Sequence, residues 1–167
     1  ASDVYKRQAF SCMMVFILFW LLFDKTVENA FVNIGGNNPG VFIPERDKQF
    51  YFWIAVIRSM FFNPIGEEFL YREVIHGSFT PKFGETAVSV FDSLAFALIH
   101  IAHFRLIYIS GSWHFLPFPV IRWILAMFLV SQVFFRCKQY CTSIWRAVCA
   151  HSGFNAMMMY LIFYHLE

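Results

Sequence analysis

The sequence predicts an all-α fold, a polytopic bundle of about five membrane-spanning helices, and two observations lead to that prediction. Hydrophobic residues make up 59% of the 167 residues and include 23 Phe, whereas charged residues make up only 14%. A typical soluble domain has about 25% charged residues. In addition, apolar segments of helical length alternate along the chain with short polar stretches. The alternative, a soluble domain with a very large apolar core, does not explain the shortage of charged side chains.

The order of the predicted helices follows from these apolar segments. The first apolar run is AFSCMMVFILFWLLF (residues 9–23), and a loop rich in Gly, Asn and Pro follows over 24–48. Further helices are predicted over residues 49–62, 64–79, 85–103, 118–135 and 143–164. Pro64 predicts a helix boundary, because proline disfavours helix at the residue before it and suits the first turn of a new helix. TPKFG (80–84) predicts a turn, and 105–119 predicts a connection at the membrane surface.

The ends of the chain and its charge limit the organisation further. The first eight residues, ASDVYKRQ, are polar and unlike the apolar run after them, so residues 1–8 are expected to be a remnant of sequence assembly or a disordered tail. Residues 9–167 are expected to form one membrane-embedded domain of a multi-pass integral membrane protein. Whether the chain is a fragment that lacks earlier helices stays open. A net charge of only +2, without a Lys/Arg cluster, argues against a nucleic-acid partner.

Ionisable residues recur at positions that this fold would place at membrane depth. They are Glu67, Glu68, Arg72, Glu73, His76, Asp92, His100, His103 and His151, with Asn155 four residues after the last. Such groups are expensive in lipid and normally face the protein interior, where they are paired or functional. Glu68 and Arg72 are four residues apart, so they predict an ion pair on one helix face. Three separate helices therefore each present a polar stripe, and one shared interior site is expected.

The three sequence segments that carry these stripes resemble the motifs of one family. EEFLYR (67–72) resembles the EExxxR motif of the CPBP family of intramembrane proteases, which includes type II CAAX prenyl endopeptidases and bacteriocin-processing enzymes. FALIH (96–100) is similar to that family's FxxxH motif, and HSGFN (151–155) to its HxxxN motif. The motifs occur in the family's order and lie within about residues 50–165. Three departures are Glu73, where the family often has Gly, Arg146, where the family usually has a small or apolar residue, and the bulky FLVSQVFF (128–135).

The resemblance implies an intramembrane endopeptidase that hydrolyses a peptide bond of a membrane-associated peptide, such as a CAAX-type prenylated tail or a leader peptide. It implies that Glu67 and His100 hold and activate water, and that His151 and Asn155 stabilise the oxyanion. The spacing of the residues supports this division, because Glu67 points about 100° around the helix from its neighbour Glu68. Glu67 is thereby available to meet His100.

Supporting roles are expected for the residues beside this group. Glu68 and Arg72 are expected to form the paired, structural part of the site, and burial makes such a pair sensitive to the loss of either partner. His103, one turn beyond His100, is expected either to support the site or to lie at the end of its span. His76 and Asp92 are expected to be structural or to support the catalytic residues indirectly.

Metal dependence stays open at the level of sequence. Glu67, His100 and His151 are an acceptable zinc-binding set, with water as the fourth ligand. The chain contains no HExxH motif, however, and its motifs do not have the tight spacing of the zinc proteases that carry one. Asn155 beside His151 favours a metal-free mechanism slightly, because together they form a donor pair suited to an oxyanion.

Two other function classes also stay open. The chain could be a non-catalytic bacteriocin-immunity or scaffold member with the same fold, or an unrelated transporter fragment that uses its acids and histidines as a proton or metal path. The presence of Glu67, His100, His151 and Asn155 together favours catalysis over the first alternative. The second would be expected to show broken helices in paired halves, and the sequence contains no repeat.

Overall fold

The computed structural model describes residues 13, 44–101, 107–109, 112–114, 117–140 and 142–164. The predicted span over 9–23 lies outside the described residues apart from residue 13. The same holds for the tail over 1–8, for His103, and for the 24–48 loop as far as residue 43. The helices that carry the three motifs are all described.

The chain from Glu45 to Phe83 is one long helical run, which we call the first long helix. It consists of α1 (Glu45–Ile57), a π-helical segment (Arg58–Phe62), α2 (Asn63–Glu68), a second π-helical segment (Phe69–Ile75) and α3 (His76–Phe83). The backbone stays in the right-handed helical region at each of the four junctions. The predicted helix boundary at Pro64 is therefore wrong.

Gly84 ends the first long helix. Its φ of +80° lies in a region that glycine enters readily and other residues rarely adopt. Its N–H donates to the carbonyl of Thr80 at 2.9 Å. The turn predicted over 80–84 is thus confined to this one residue, since the helix continues through Pro81 to Phe83.

The remaining elements follow Gly84. They are α4 (Glu85–Ile99), the short strands β1 (Ile107–Ile109) and β2 (Ser112–His114), α5 (Pro117–Gln139) and α6 (Ile144–Tyr164). The strands pair antiparallel with Tyr108 opposite Trp113, so the predicted surface connection contains a small β-ribbon. The predicted helices over 85–103, 118–135 and 143–164 are all present, and α4 stops four residues earlier than predicted.

The helices pack around α5. This helix lies between α4 and α6, while α1 and the first π-helical segment run along α6, and α3 lies against α4. The buried core joins side chains from α4, α5, α6 and the second π-helical segment; examples are Tyr71, Phe96, Trp123, Phe134 and Phe154. The three motifs therefore lie on segments that meet at this core.

Several charged side chains are buried in the bundle, and many large apolar side chains are exposed on its surface. Glu68, Arg72 and Asp92 are completely buried, whereas Phe62 is 73% and Phe118 is 76% exposed. Exposed apolar residues lie on every helix, as expected where lipid replaces water. By length and hydropathy one helix in the described part of the chain, Val120–Gln139, can cross a membrane. The all-helical class is confirmed, and the number of spans stays a prediction.

The first long helix passes through Pro64 because α6 supplies donors to its backbone. Pro64 has no N–H for the carbonyl of Met60, four residues earlier, and the N–H of Asn63 donates to the carbonyl of Arg58, five residues earlier. The carbonyl of Ser59 accepts from Asn155 Nδ2 at 2.8 Å, and that of Met60 accepts from Ser152 Oγ at 2.5 Å. Two side chains of α6 thus bond the carbonyls that the π-helical turn and the proline release.

Ser152→Ala tests this account of the helix. The change removes the donor to the Met60 carbonyl, and a net loss of about 1 kcal/mol in the free energy of unfolding is expected for one such hydrogen bond. Ser89→Ala is the matched control, because the Ser89 hydroxyl donates only to Thr86 O within its own helix. Thermal unfolding in detergent measures both. Equal melting temperatures for the two variants would contradict the proposed role of Ser152.

Candidate active site

The structure brings Glu67, His100 and His151 together in the interior. Glu67 Oε2 lies 4.0 Å from His100 Nε2 and 3.8 Å from His151 Nε2. These residues come from α2, the end of α4 and α6. Within the described part of the chain, Glu67 Oε2 is buried and has no hydrogen-bond partner. A carboxylate oxygen therefore lies between two imidazole nitrogens, each within reach of a single bridging water molecule.

Both imidazole rings are held through their other nitrogen. His100 Nδ1 lies 2.7 Å from the carbonyl oxygen of Phe96, and His151 Nδ1 lies 2.9 Å from Glu68 Oε1. Carbonyl and carboxylate oxygens accept hydrogen bonds, so each Nδ1 carries the proton that it donates. In the neutral rings Nε2 is then the acceptor nitrogen, and it faces Glu67. The backbone of α4 and the second motif acid thus fix which nitrogen each histidine presents to the site.

Aromatic rings fix the plane of each histidine. The Phe96 ring lies 4.5 Å from the His100 ring and 5.7 Å from the His151 ring, measured between centroids. Phe134 of α5 stacks on His151 at 4.6 Å with an interplanar angle of 16°. The Phe of the FxxxH segment therefore makes contact with both histidines.

Arg72 is the centre of a buried polar network behind the histidines. Its Nε donates to Glu68 Oε2 at 3.1 Å, its second guanidinium nitrogen to Asp92 Oδ1 at 2.7 Å, and its third to the carbonyl of Ser131 at 2.9 Å. The predicted pair of Glu68 and Arg72 is confirmed. Glu68 connects Arg72 to His151, since its two carboxylate oxygens contact one residue each.

The network continues from Asp92 toward the end of the bundle. His76 Nδ1 lies 2.8 Å from Asp92 Oδ2, and Ser93 Oγ donates to Asp92 Oδ1 at 3.1 Å. The side chains of His76 and Asp92 are 7% and 0% exposed. Both residues therefore belong to the same network as Arg72, which places them behind the histidines rather than beside Glu67.

Asn155 occupies a different part of the site from the three converging residues. Its amide nitrogen donates to the carbonyl of Ser59, and the side chain is buried. An amide nitrogen carries two hydrogens, so this bond uses only one of them. The catalytic roles of Glu67, His100, His151 and Asn155 remain predictions.

Sequence reasoning did not single out two residues of α5 that contact the site. Ser131 accepts from Arg72, and Phe134 stacks on His151. Both lie within FLVSQVFF, which stands out in the sequence only for its bulk. The presence of a serine in so apolar a segment was the one signal in the sequence that could have pointed to Ser131. Glu73, another departure from the family pattern, forms an ion pair with Lys138 at 3.0 Å.

The three candidate zinc ligands do not form a closed metal site in this arrangement. Ligand atoms around a tetrahedral zinc ion, with bonds of about 2.0–2.1 Å, lie about 3.3 Å from each other. The separations of 4.0 and 3.8 Å at Glu67 Oε2 are longer than that. No group of three or more His, Cys, Asp and Glu residues within the described ranges is arranged to hold a metal ion. As the structure places them, these side chains stand farther apart than the ligands of one bound zinc ion.

An apolar helical bundle whose interior holds a carboxylate between two imidazoles brings together, at membrane depth, residue types that serve in acid–base chemistry. The chain belongs to the family described as type II CAAX prenyl endopeptidase Rce1-like, whose model matches residues 49–157. The match includes all three motifs. No curated protein and no solved structure matches the chain. Family membership makes the protein a membrane-embedded member of a protease family.

Proposed function

We propose that the protein is a multi-pass intramembrane endopeptidase that hydrolyses a peptide bond near the prenylated end of a CAAX-type substrate. The observation that supports this most directly is the position of Glu67 Oε2, which lies within 4.0 Å of the Nε2 atoms of both His100 and His151. Family membership supports the substrate class. The exposed apolar side chains of the bundle suit a lipid bilayer and an isoprenoid chain alike.

The proposed reaction begins with a water molecule held by Glu67 and His100. Glu67 accepts a proton from this water as its oxygen attacks the carbonyl carbon of the substrate peptide bond. His151, as an imidazolium, donates from Nε2 to the oxygen that becomes negative, and the second amide hydrogen of Asn155 is a further donor. The proton on Glu67 then passes to the leaving nitrogen as the C–N bond breaks. The products are a carboxylic acid and an amine, and transfer of the acid's remaining proton gives a carboxylate and an ammonium group.

Glu68 orients His151 in the proposed reaction. A carboxylate at Nδ1 accepts the N–H of the ring and holds the ring so that Nε2 faces the substrate. The bond between Glu68 Oε1 and His151 Nδ1 measures 2.9 Å. The two adjacent acids therefore have separate tasks in the proposal, since Glu67 handles the proton of water and Glu68 orients the histidine.

Cleavage of a defined substrate tests the proposed function. The protein is placed in liposomes with a farnesylated CAAX peptide or with the same peptide lacking the farnesyl group, and the products are identified by mass spectrometry. We expect release of the terminal residues from the farnesylated peptide only. A protein that binds the peptide without cleaving it would instead support the non-catalytic alternative.

Metal removal tests the mechanism. We expect the activity on the farnesylated peptide to survive exhaustive chelation, because no proposed step requires zinc. The zinc content of each sample is measured beside its turnover, since the ligands of a bound ion must be deprotonated and zinc affinity therefore depends on pH. Stoichiometric zinc whose removal abolishes turnover, with recovery upon its return, would overturn the metal-free scheme.

A further inference from the structure

A polar pocket of about 430 Å³ lies at the end of the bundle, and Glu67 does not line it. His76 forms part of its wall, together with Glu73, Glu85 and Lys138. The side chain of His76 is nevertheless only 7% exposed. Since His76 also contacts Asp92, this residue joins the pocket to the buried network behind the catalytic histidines.

The three completely buried residues Glu68, Arg72 and Asp92 together carry more negative than positive charge. Glu68 and Asp92 are both completely buried, and both contact Arg72. One guanidinium cannot neutralise two carboxylates, and an uncompensated charge in the interior is strongly unfavourable. His76 is the residue whose ring touches the outer carboxylate, with Nδ1 2.8 Å from Asp92 Oδ2. As an imidazolium it brings the charges of these four residues to zero. In the proposed reaction the Glu67 carboxylate, 3.8 Å from His151 Nε2, balances the His151 imidazolium.

The other charged groups around His76 are consistent with a cation there. Its Nε2 lies 3.2 Å from Glu85 Oε1, although the two are not aligned for a hydrogen bond. Lys138, the nearby cation on α5, is engaged elsewhere, because its ammonium contacts the carbonyl of Arg72 and, at 3.0 Å, the carboxylate of Glu73. Carboxylates therefore face both nitrogens of the His76 ring, from α4.

We propose that His76 and Asp92 are positioning residues of the peptidase reaction, an inference that rests on the proposed function. Their ion pair neutralises Asp92 and leaves the Arg72 guanidinium to hold Glu68. Glu68 in turn holds the Nδ1–H of His151. Four consecutive contacts of 2.8, 2.7, 3.1 and 2.9 Å connect His76 to His151 in this way. The residues act on the reaction only through His151.

Charge-balanced substitutions test the proposal. His76→Asn removes the positive charge, and Asp92→Asn removes the negative charge. We expect each single variant to lower kcat for the farnesylated peptide about tenfold, with KM within a factor of two. The double variant removes both charges, so we expect its kcat to recover to within about threefold of the wild-type value. Glu45→Gln is the control, because that side chain is 83% exposed at the start of α1 and lies outside the buried network.

A purely structural role would give a different pattern. Single variants that lose only thermal stability, with kcat unchanged, would overturn the proposal, as would a folded double variant less active than either single variant. If a single variant does not fold, the double variant tests charge balance instead. Folding and turnover in the double variant support charge balance, whereas a folded but inactive double variant refutes it.

A spectroscopic measurement separates this inference from the proposed function. In protein with ¹⁵N-labelled histidine, the Nδ1 resonance of His151, assigned with a His151→Asn variant, reports the hydrogen bond to Glu68. We expect it to shift in both single variants and to return in the double variant. An identical resonance in all four proteins would overturn the inference. A wild-type protein that cleaves no farnesylated peptide, yet shows the expected shifts, would overturn only the proposed function.

Discussion

Glu67→Gln is expected to abolish cleavage of the farnesylated peptide while leaving the protein folded. The amide keeps the shape of the side chain but cannot accept a proton from water, and loss of a general base lowers rates by about 10²–10⁴-fold. The side chain is partly exposed and has no hydrogen-bond partner at Oε2 within the described residues. Its replacement therefore leaves no buried group newly unpaired. Turnover of the peptide and thermal unfolding in detergent are measured on the same preparation.

The neighbouring acid supplies the matched comparison. Glu68→Gln replaces a completely buried carboxylate that contacts both Arg72 and His151. We expect this variant to lose stability, since the guanidinium keeps only one of its two carboxylate partners in a buried site. If both variants lost activity equally and neither lost stability, the division of tasks between the two acids would be refuted.

Arg72→Met is expected to produce the largest loss of stability, about 3–5 kcal/mol, the range for breaking a buried ion pair. The guanidinium contacts Glu68, Asp92 and Ser131 in three directions. Its removal leaves two carboxylates buried together. Urea unfolding in detergent, followed by circular dichroism, measures the change in the free energy of unfolding.

Two further variants make the Arg72 experiment specific. Arg136→Met is the control, because Arg136 is an exposed residue near the end of α5. Arg72→Lys retains the charge but lacks the planar fork that reaches three partners, so we expect it to recover only part of the lost stability. A free energy of unfolding for Arg72→Met equal to that of the Arg136 control would show that the network does not stabilise the fold.

The sequence was sufficient to predict features that depend on local spacing. Four residues separate Glu68 from Arg72, and helical geometry then makes their pairing nearly obligatory in an apolar interior. The existence of α4, α5 and α6 could also be predicted, because a long apolar segment is a property of the local sequence. The convergence of Glu67 with His100 and His151 was expected from the motifs, which the family resemblance connected.

Features that depend on contacts between distant residues could not be predicted in this way. Pro64 was expected to end a helix, and locally that expectation is sound. Ser152 and Asn155, which lie 92 and 96 residues after their acceptors, bond the carbonyls of Met60 and Ser59 and allow the helix to continue. The stacking of Phe134 on His151 could not be predicted either, because nothing distinguishes Phe134 from the other apolar residues of its segment.

The two hydrogen bonds from side chains of α6 to backbone carbonyls of the first long helix also restrict movement of one helix against the other. Each joins a side chain of one helix to the main chain of the other, and the two acceptors are adjacent in sequence. A slide of α6 along its axis would stretch both bonds at once. Glu67 and His151 stand on these two helices, so the same two bonds oppose a relative displacement of the proposed base and the proposed proton donor.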